Sequence, residues 1–297
     1  MRAFIQLSLF TLLFACVRAK GGDSDIKATV TNVGHDQVTP IPGNATADQL
    51  KYMPEFRLAA GTCRPIAAIS STGAVGGGLQ ASGSMDGSCR GLDKANVYTR
   101  SETRDTLTFY TYSLYFPKDG PSGSDGPTGH RHDWERAVVT VKAGAILQVT
   151  FGQHGGWYSL PPDKIRIVDN THPIIFVGKT KHGLYHSPNN GPGGQAEGVC
   201  YWCDTRHEFS PADAESKDLR LDYQTDANKL VSIAALPADI QAIFGGSYWG
   251  SANSPFRPER YSGLLNSIQT SANQGSLSCS DKGCDCNTTT GVCPGGI

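Results

Sequence analysis

Gly129-His130-Arg131-His132-Asp133-Trp134-Glu135 places two imidazoles, two carboxylates and an indole in seven residues, directly before the β-prone run Ala137 to Val141. If that strand starts near His132, side chains alternate. Asp133 and Glu135 then share one face, and His132 and Trp134 share the other. Two carboxylates one pleat apart repel each other unless a proton or a cation sits between them. His130 lies just before the strand, where a loop can turn it back toward Asp133. Asp119 closes the preceding run, and the Gly/Ser/Pro-rich stretch Gly120 to Gly129 can fold back to bring it near the heptad. Asp119, His130, Asp133 and Glu135 are therefore candidate ligands for one hard divalent cation, Mg²⁺ or Ca²⁺, which favours oxygen. Zinc would ask for more nitrogen or sulfur. A salt-bridged strand entry is the competing reading of the same string.

Other chemistries find little support. A dinuclear metallohydrolase needs a second cluster of His and Asp ligands, and His35, His154, His172, His182, His186 and His207 show no such grouping. His182 and His186 stand four apart, but no Glu follows the first as a zinc protease requires. The Gly-x-Ser-x-Gly elbow of serine hydrolases is missing. The expectation is a protein that is not an enzyme. The basic residues form no stripe, which argues against nucleic acid as a partner.

The first residues point to export. Arg2 precedes an almost wholly apolar run from Ala3 to Cys16, and Val17-Arg18-Ala19 ends on a small residue. That run is too short to span a bilayer, so residues 1–19 read as a secretory signal peptide and the protein as secreted and extracellular. Without Arg2 and Arg18, 24 of the 26 basic residues remain against 27 acidic ones, a formal charge of −3. Of nine cysteines, all but Cys16 lie in the expected mature chain: Cys63, Cys89, Cys200, Cys203, Cys279, Cys284, Cys286 and Cys293. An even set in an exported chain points to disulfides. Cys200 and Cys203 also have the spacing of half a zinc site, though no matching second pair lies nearby. Asn44 and Asn287 stand in glycosylation sequons.

Short β-prone runs must position the site. Leu107 to Phe116 alternates, and Ala137 to Val141, Ile146 to Phe151, Lys164 to Val168 and Pro173 to Val177 follow between turn clusters. This spacing predicts a mainly β sandwich or barrel. Two helices are expected: one capped by Thr46 with Gln49, and one over Pro237 to Phe244. Residues 20–37 read as a flexible N-terminal segment and 38–268 as one domain of about 230 residues, large enough to bury a core. Residues 269–297 read as a Cys-rich tail.

The heptad also carries a resemblance. Gly129 to Glu135 matches the signature heptapeptide of the necrosis- and ethylene-inducing-like family. Thr62-Cys63-Arg64-Pro65 with the Gly-rich loop to Cys89 looks like the family's disulfide loop. Tyr115-Phe116-Pro117-Lys118-Asp119, His154-Gly155-Gly156, Thr171-His172-Pro173 and Trp249 to Phe256 are similar to further family segments. The resemblance implies a β-sandwich like actinoporin-type cytolysins and fungal lectins, and a Cys63–Cys89 disulfide. It also implies one divalent cation on Asp119, His130, Asp133 and Glu135, with Arg131 near the cavity and His132 and Trp134 structural. Cytotoxic members bind the glycosyl inositol phosphoceramide headgroup of plant plasma-membrane sphingolipids and permeabilise the membrane. The sequence departs from that pattern at Gly178-Lys179-Thr180-Lys181-His182, where the family loop has a Trp and an acidic or amide residue ahead of the His. Only His182 fits as a headgroup contact, with Trp157 as a candidate membrane aromatic.

Overall fold

The computed structural model describes residues 30–89, 91–120, 129–153, 156–179, 181–186, 219–252 and 254–274. The expected signal peptide, Cys200, Cys203, the four tail cysteines, Asn287 and His154 lie outside them. The elements run β1 (Thr31–Val33), α1 (Ala47–Lys51), β2 (Glu55–Leu58), β3 (Ala74–Gly76), β4 (Val97–Arg104), β5 (Leu107–Lys118) and β6 (Arg131–Lys142). They continue with β7 (Ala145–Gln153), β8 (Gly156–Leu160), β9 (Ile167–Val168), β10 (His172–Val177), β11 (Leu184–Tyr185), β12 (Arg220–Leu221), β13 (Leu230–Ser232), α2 (Ala238–Gly245) and α3 (Pro258–Gln274).

Two sheets face each other. One has six strands in the order β13-β4-β5-β6-β7-β8; the other has the order β11-β10-β2-β12, with β9 added beside β10. The alternation of β5 and β6 follows from this layering, because each strand feeds a core on both faces. Tyr112, Leu114 and Phe116 of β5 and Ala137, Val139 and Val141 of β6 point into the space between the sheets. There they meet Phe56, Leu58, Ile175, Val177 and Leu221 of the second sheet. The opposite face of the six-stranded sheet is also buried. Tyr98, Tyr115 and Trp134 pack there with Ile240, Ile243 and Phe244 of α2 and with Trp249 and Phe256. Further along the same face, Phe109 and Val138 meet Tyr261, Leu264, Leu265 and Ile268 of α3.

The start of α1 is the expected capping box: the Gln49 amide donates to Thr46 Oγ1 at 3.2 Å, and the Thr46 amide donates to Gln49 Oε1 at 3.0 Å. Three expectations need correction. Within the segment expected to be flexible, β1 pairs in parallel with β3, and the Gly77 amide donates to Val33 O at 2.8 Å. Lys164 to Val168 is not one strand: a 3₁₀ turn at Pro162–Lys164 takes the amides of Lys164 and Ile165 onto the carbonyls of Pro161 and Pro162, which leaves only Ile167–Val168 paired as a strand. The chain also stays helical past Ile268 to Gln274, because Ser271 is still buried and Ala272 packs on the sheet. A disulfide joins Cys63 and Cys89, the pairing the resemblance implied.

Candidate cation site

β5 and β6 pair antiparallel, with Leu114 opposite Glu135, Phe116 opposite Asp133, and Lys118 opposite Arg131. Asp133 and Glu135 therefore project toward the space between the sheets, at the end of its apolar core. Asp119 follows β5, and its amide donates to His130 O at 2.8 Å, which closes the loop between the strands. Gly129 is required at this closure. A Cβ there would stand 2.4 Å from Asp119 O and 2.6 Å from Gly120 O.

Asp119, Asp133 and His182 form a buried group whose ligand-type atoms lie within 4.8 Å of one another. The loop between β10 and β11 delivers His182, closed by the Gly178 amide donating to Gly183 O at 2.9 Å. Thr62, next to the disulfide, steadies the same loop by donating its hydroxyl to Lys179 O at 3.0 Å. The His182 ring lies flat on Phe116, with centroids 3.8 Å apart and planes 5° from parallel. Its Nδ1 lies 2.8 Å from Asp133 Oδ2. A carboxylate only accepts, so Nδ1 carries a proton. The His182 Nε2 is buried with no hydrogen-bond partner among the described residues. The other Asp133 oxygen, Oδ1, accepts from the Trp134 amide at 2.9 Å.

His130 stands at the edge of the group, partly exposed, with Nε2 3.6 Å from Asp119 Oδ2. Glu135 is buried one pleat further in, with Oε2 beside Gly152 on β7. The adjacent cations turn toward the disulfide loop. Lys118 Nζ donates to Ser84 O at 2.9 Å, and Arg131 donates to Gly77 O at 2.7 Å. Burial lowers the Lys118 ammonium below its ordinary value, and the Asp86 charge partly offsets this.

His132 and Trp134 face away from the group. Trp134 is enclosed by Tyr115, Tyr98, Trp249, Phe244 and Phe256. The His132 Nδ1 lies 2.6 Å from the Tyr115 hydroxyl. Burial, with the charges of Arg131 and His130, pushes the His132 ring down to about 4, so it is neutral near pH 7. Burial also holds the Tyr115 hydroxyl protonated, far above its ordinary value.

The two expected headgroup or membrane contacts are His182 and Trp157. His182 is fully buried and belongs to the acidic group, while Trp157 is half-buried and packs beside α3. His182 comes from 49 residues beyond Asp133, and the resemblance singled it out as a headgroup contact and not as a partner of Asp133. Only the pairing of β10 with β11 brings it in.

Two carboxylates and an imidazole with an unengaged nitrogen, all withdrawn from water, are a donor set that suits a divalent cation. A family model described as necrosis inducing protein (NPP1) matches residues 46–268, most of the chain, with the heptad inside the match. The chain belongs to the necrosis inducing protein (NPP1) family. NLP effector protein 2 of Phytophthora capsici is 35% identical over 150 residues, 47% of this chain and 59% of that protein. The chain spans about half to three-fifths of the length of the first relatives it matches. Among solved structures, that of Necrosis and Ethylene inducing Protein 2 from the agent of cocoa's witches broom disease superposes with a TM-score of 0.60. It is 25% identical and covers 80% of this chain and 97% of its own. NLPPya in complex with mannosamine superposes at 0.58 with 24% identity, covering 79% and 98%, and so shares the fold. Within the NPP1 family this chain thus has the mainly β, two-sheet architecture and a buried acidic group at the end of the core.

Proposed function

We propose that the protein is secreted and uses a divalent cation, Mg²⁺ or Ca²⁺, to dock on the sugar headgroup of plant plasma-membrane sphingolipids, which it then permeabilises. It does this by binding, without turnover. The observation that carries the reading is the buried group Asp119, Asp133 and His182, with His130 and Glu135 beside it. Asp119 and Asp133 would supply negative oxygens and His182 Nε2 a neutral donor, and His130 at the rim would border the incoming ligand. A cation bound there offers a positive centre for the phosphate and hydroxyl oxygens of a glycosyl inositol phosphoceramide headgroup. Two further findings support a sugar ligand and an effector role: a protein of this fold was solved with mannosamine, and a similar relative is named an effector.

A second reading, glycan or glycolipid binding without lysis, is favoured by one feature. The stretch Gly178-Lys179-Thr180-Lys181 ahead of His182 lacks the Trp and the acidic or amide residue of the family pattern. Dye leakage from vesicles with and without plant glycosyl inositol phosphoceramide separates the two. Leakage that needs both that lipid and the cation supports permeabilisation. Cation-dependent binding without leakage selects the second reading. Hydrolysis of a glycoside or ester by the native protein would overturn both.

A further inference from the structure

His130 and His132 flank Arg131, yet their hydrogen bonds demand opposite protonation. His130 Nδ1 lies 2.7 Å from the backbone carbonyl oxygen of His132. A carbonyl only accepts, so His130 carries a proton on Nδ1, and Nε2 is the nitrogen that faces Asp119. The Tyr115 hydroxyl meets His132 at Nδ1. Where that hydroxyl donates, His132 carries its proton on Nε2.

The carbonyl that fixes His130 owes its direction to an unusual backbone. His132 sits within β6 at φ 61°. This left-handed conformation is uncommon for any residue with a side chain and rarer still inside a strand. The ladder is interrupted there: Phe116–Asp133 and Lys118–Arg131 pair on either side, but Pro117 forms no pair with His132. Pro117 has no N–H to give, and its carbonyl accepts from the Leu79 amide at 2.7 Å instead. The ring of His132 locks the turn. Besides Tyr115, it meets Trp249 edge-on, with centroids 5.6 Å apart. It also fills the space over Gly78, where a Cβ would come within 2.8 Å of its Cε1 and Nδ1.

We infer that His132 is a positioning residue: its locked, left-handed backbone turns its carbonyl onto His130 Nδ1 and so presents His130 Nε2 toward Asp119. The inference rests on the cation site proposed above only for its consequence, because the proton positions belong to the metal-free protein.

The test compares ¹⁵N-histidine NMR of chelated protein with calorimetric titration of Ca²⁺ and Mg²⁺. In native protein, His130 should be protonated on Nδ1 and His132 on Nε2. His132→Asn, which tolerates positive φ, should keep the His130 proton on Nδ1 and bind the cation nearly as native. His132→Val, which disfavours that conformation, should scramble the His130 tautomer and weaken binding about tenfold, as loss of a ligand-orienting partner does. A His130 proton on Nε2 in native protein overturns the inference, as does equal affinity of the Asn and Val variants. Should the Val variant not fold, the native spectrum alone decides. Native protein with both tautomers as stated but no cation affinity retires the cation reading and leaves the positioning role intact.

Discussion

Asp133 has both carboxylate oxygens engaged, one by the Trp134 amide and one by His182. An amide in its place would point N–H at one of those donors, so Asp133→Asn strains the group it leaves behind. The chelated variant should lose about 1–3 kcal/mol, the cost of an unsatisfied buried donor. It should also lose the rise in melting temperature that millimolar Ca²⁺ or Mg²⁺ should give the native protein by mass action. Melting curves with chelator and with cation check both. Gly78 is a second sensitive position. At φ 64°, with a Cβ aimed at His132 and at Arg131 Cγ, Gly78→Ala should cost about 1–3 kcal/mol by chemical denaturation. The sequence exposed Asp133 and Glu135 as one face because strand alternation is a local rule, and it offered Asp119 through the loop that joins the two strands. It could not expose His182, whose contact depends on a hairpin of the other sheet, nor the bend at His132, which breaks that same alternation.

The Cys63–Cys89 loop is the element that holds the site from outside. Its carbonyls at Gly77, Gly78, Ser82 and Ser84 take the N–H groups of Arg131 and Lys118. Replacing both cysteines with serine should cost about 3 kcal/mol, the entropy of closing a loop of that length. It should also weaken cation binding, while denaturation still follows a single transition. Helix α3 sets a different boundary from the one composition suggests. Truncation after Gln274 should leave stability unchanged. Truncation after Ile268 removes Ala272 from the sheet, frays a helix end and should cost about 1 kcal/mol. The polar run after Ile268 hid this, because a helix with one buried stripe is mostly polar in sequence. The strands β5, β6, β7 and β10 were legible through their apolar alternation and turn punctuation. β4 was not, because only its first three residues are buried and the rest alternates between solvent and a half-covered face.

Across the whole molecule, the cation group closes one end of the core between the sheets, while the helices cover the far side of the six-stranded sheet. Function is therefore separable from the integrity of the apolar core. Substitutions at the group can remove a ligand site without emptying the apolar core. Glu135→Ala should stay folded and lose most of the cation-induced stabilisation. The most direct measurement is cosedimentation of the protein with vesicles containing plant glycosyl inositol phosphoceramide, run in Ca²⁺ or Mg²⁺ and again in chelator. The native protein should pellet with those vesicles only when cation is present, and Asp133→Asn and Glu135→Ala should stay in the supernatant under both conditions. Equal pelleting of native protein in chelator, or of either variant in cation, would contradict docking through the cation.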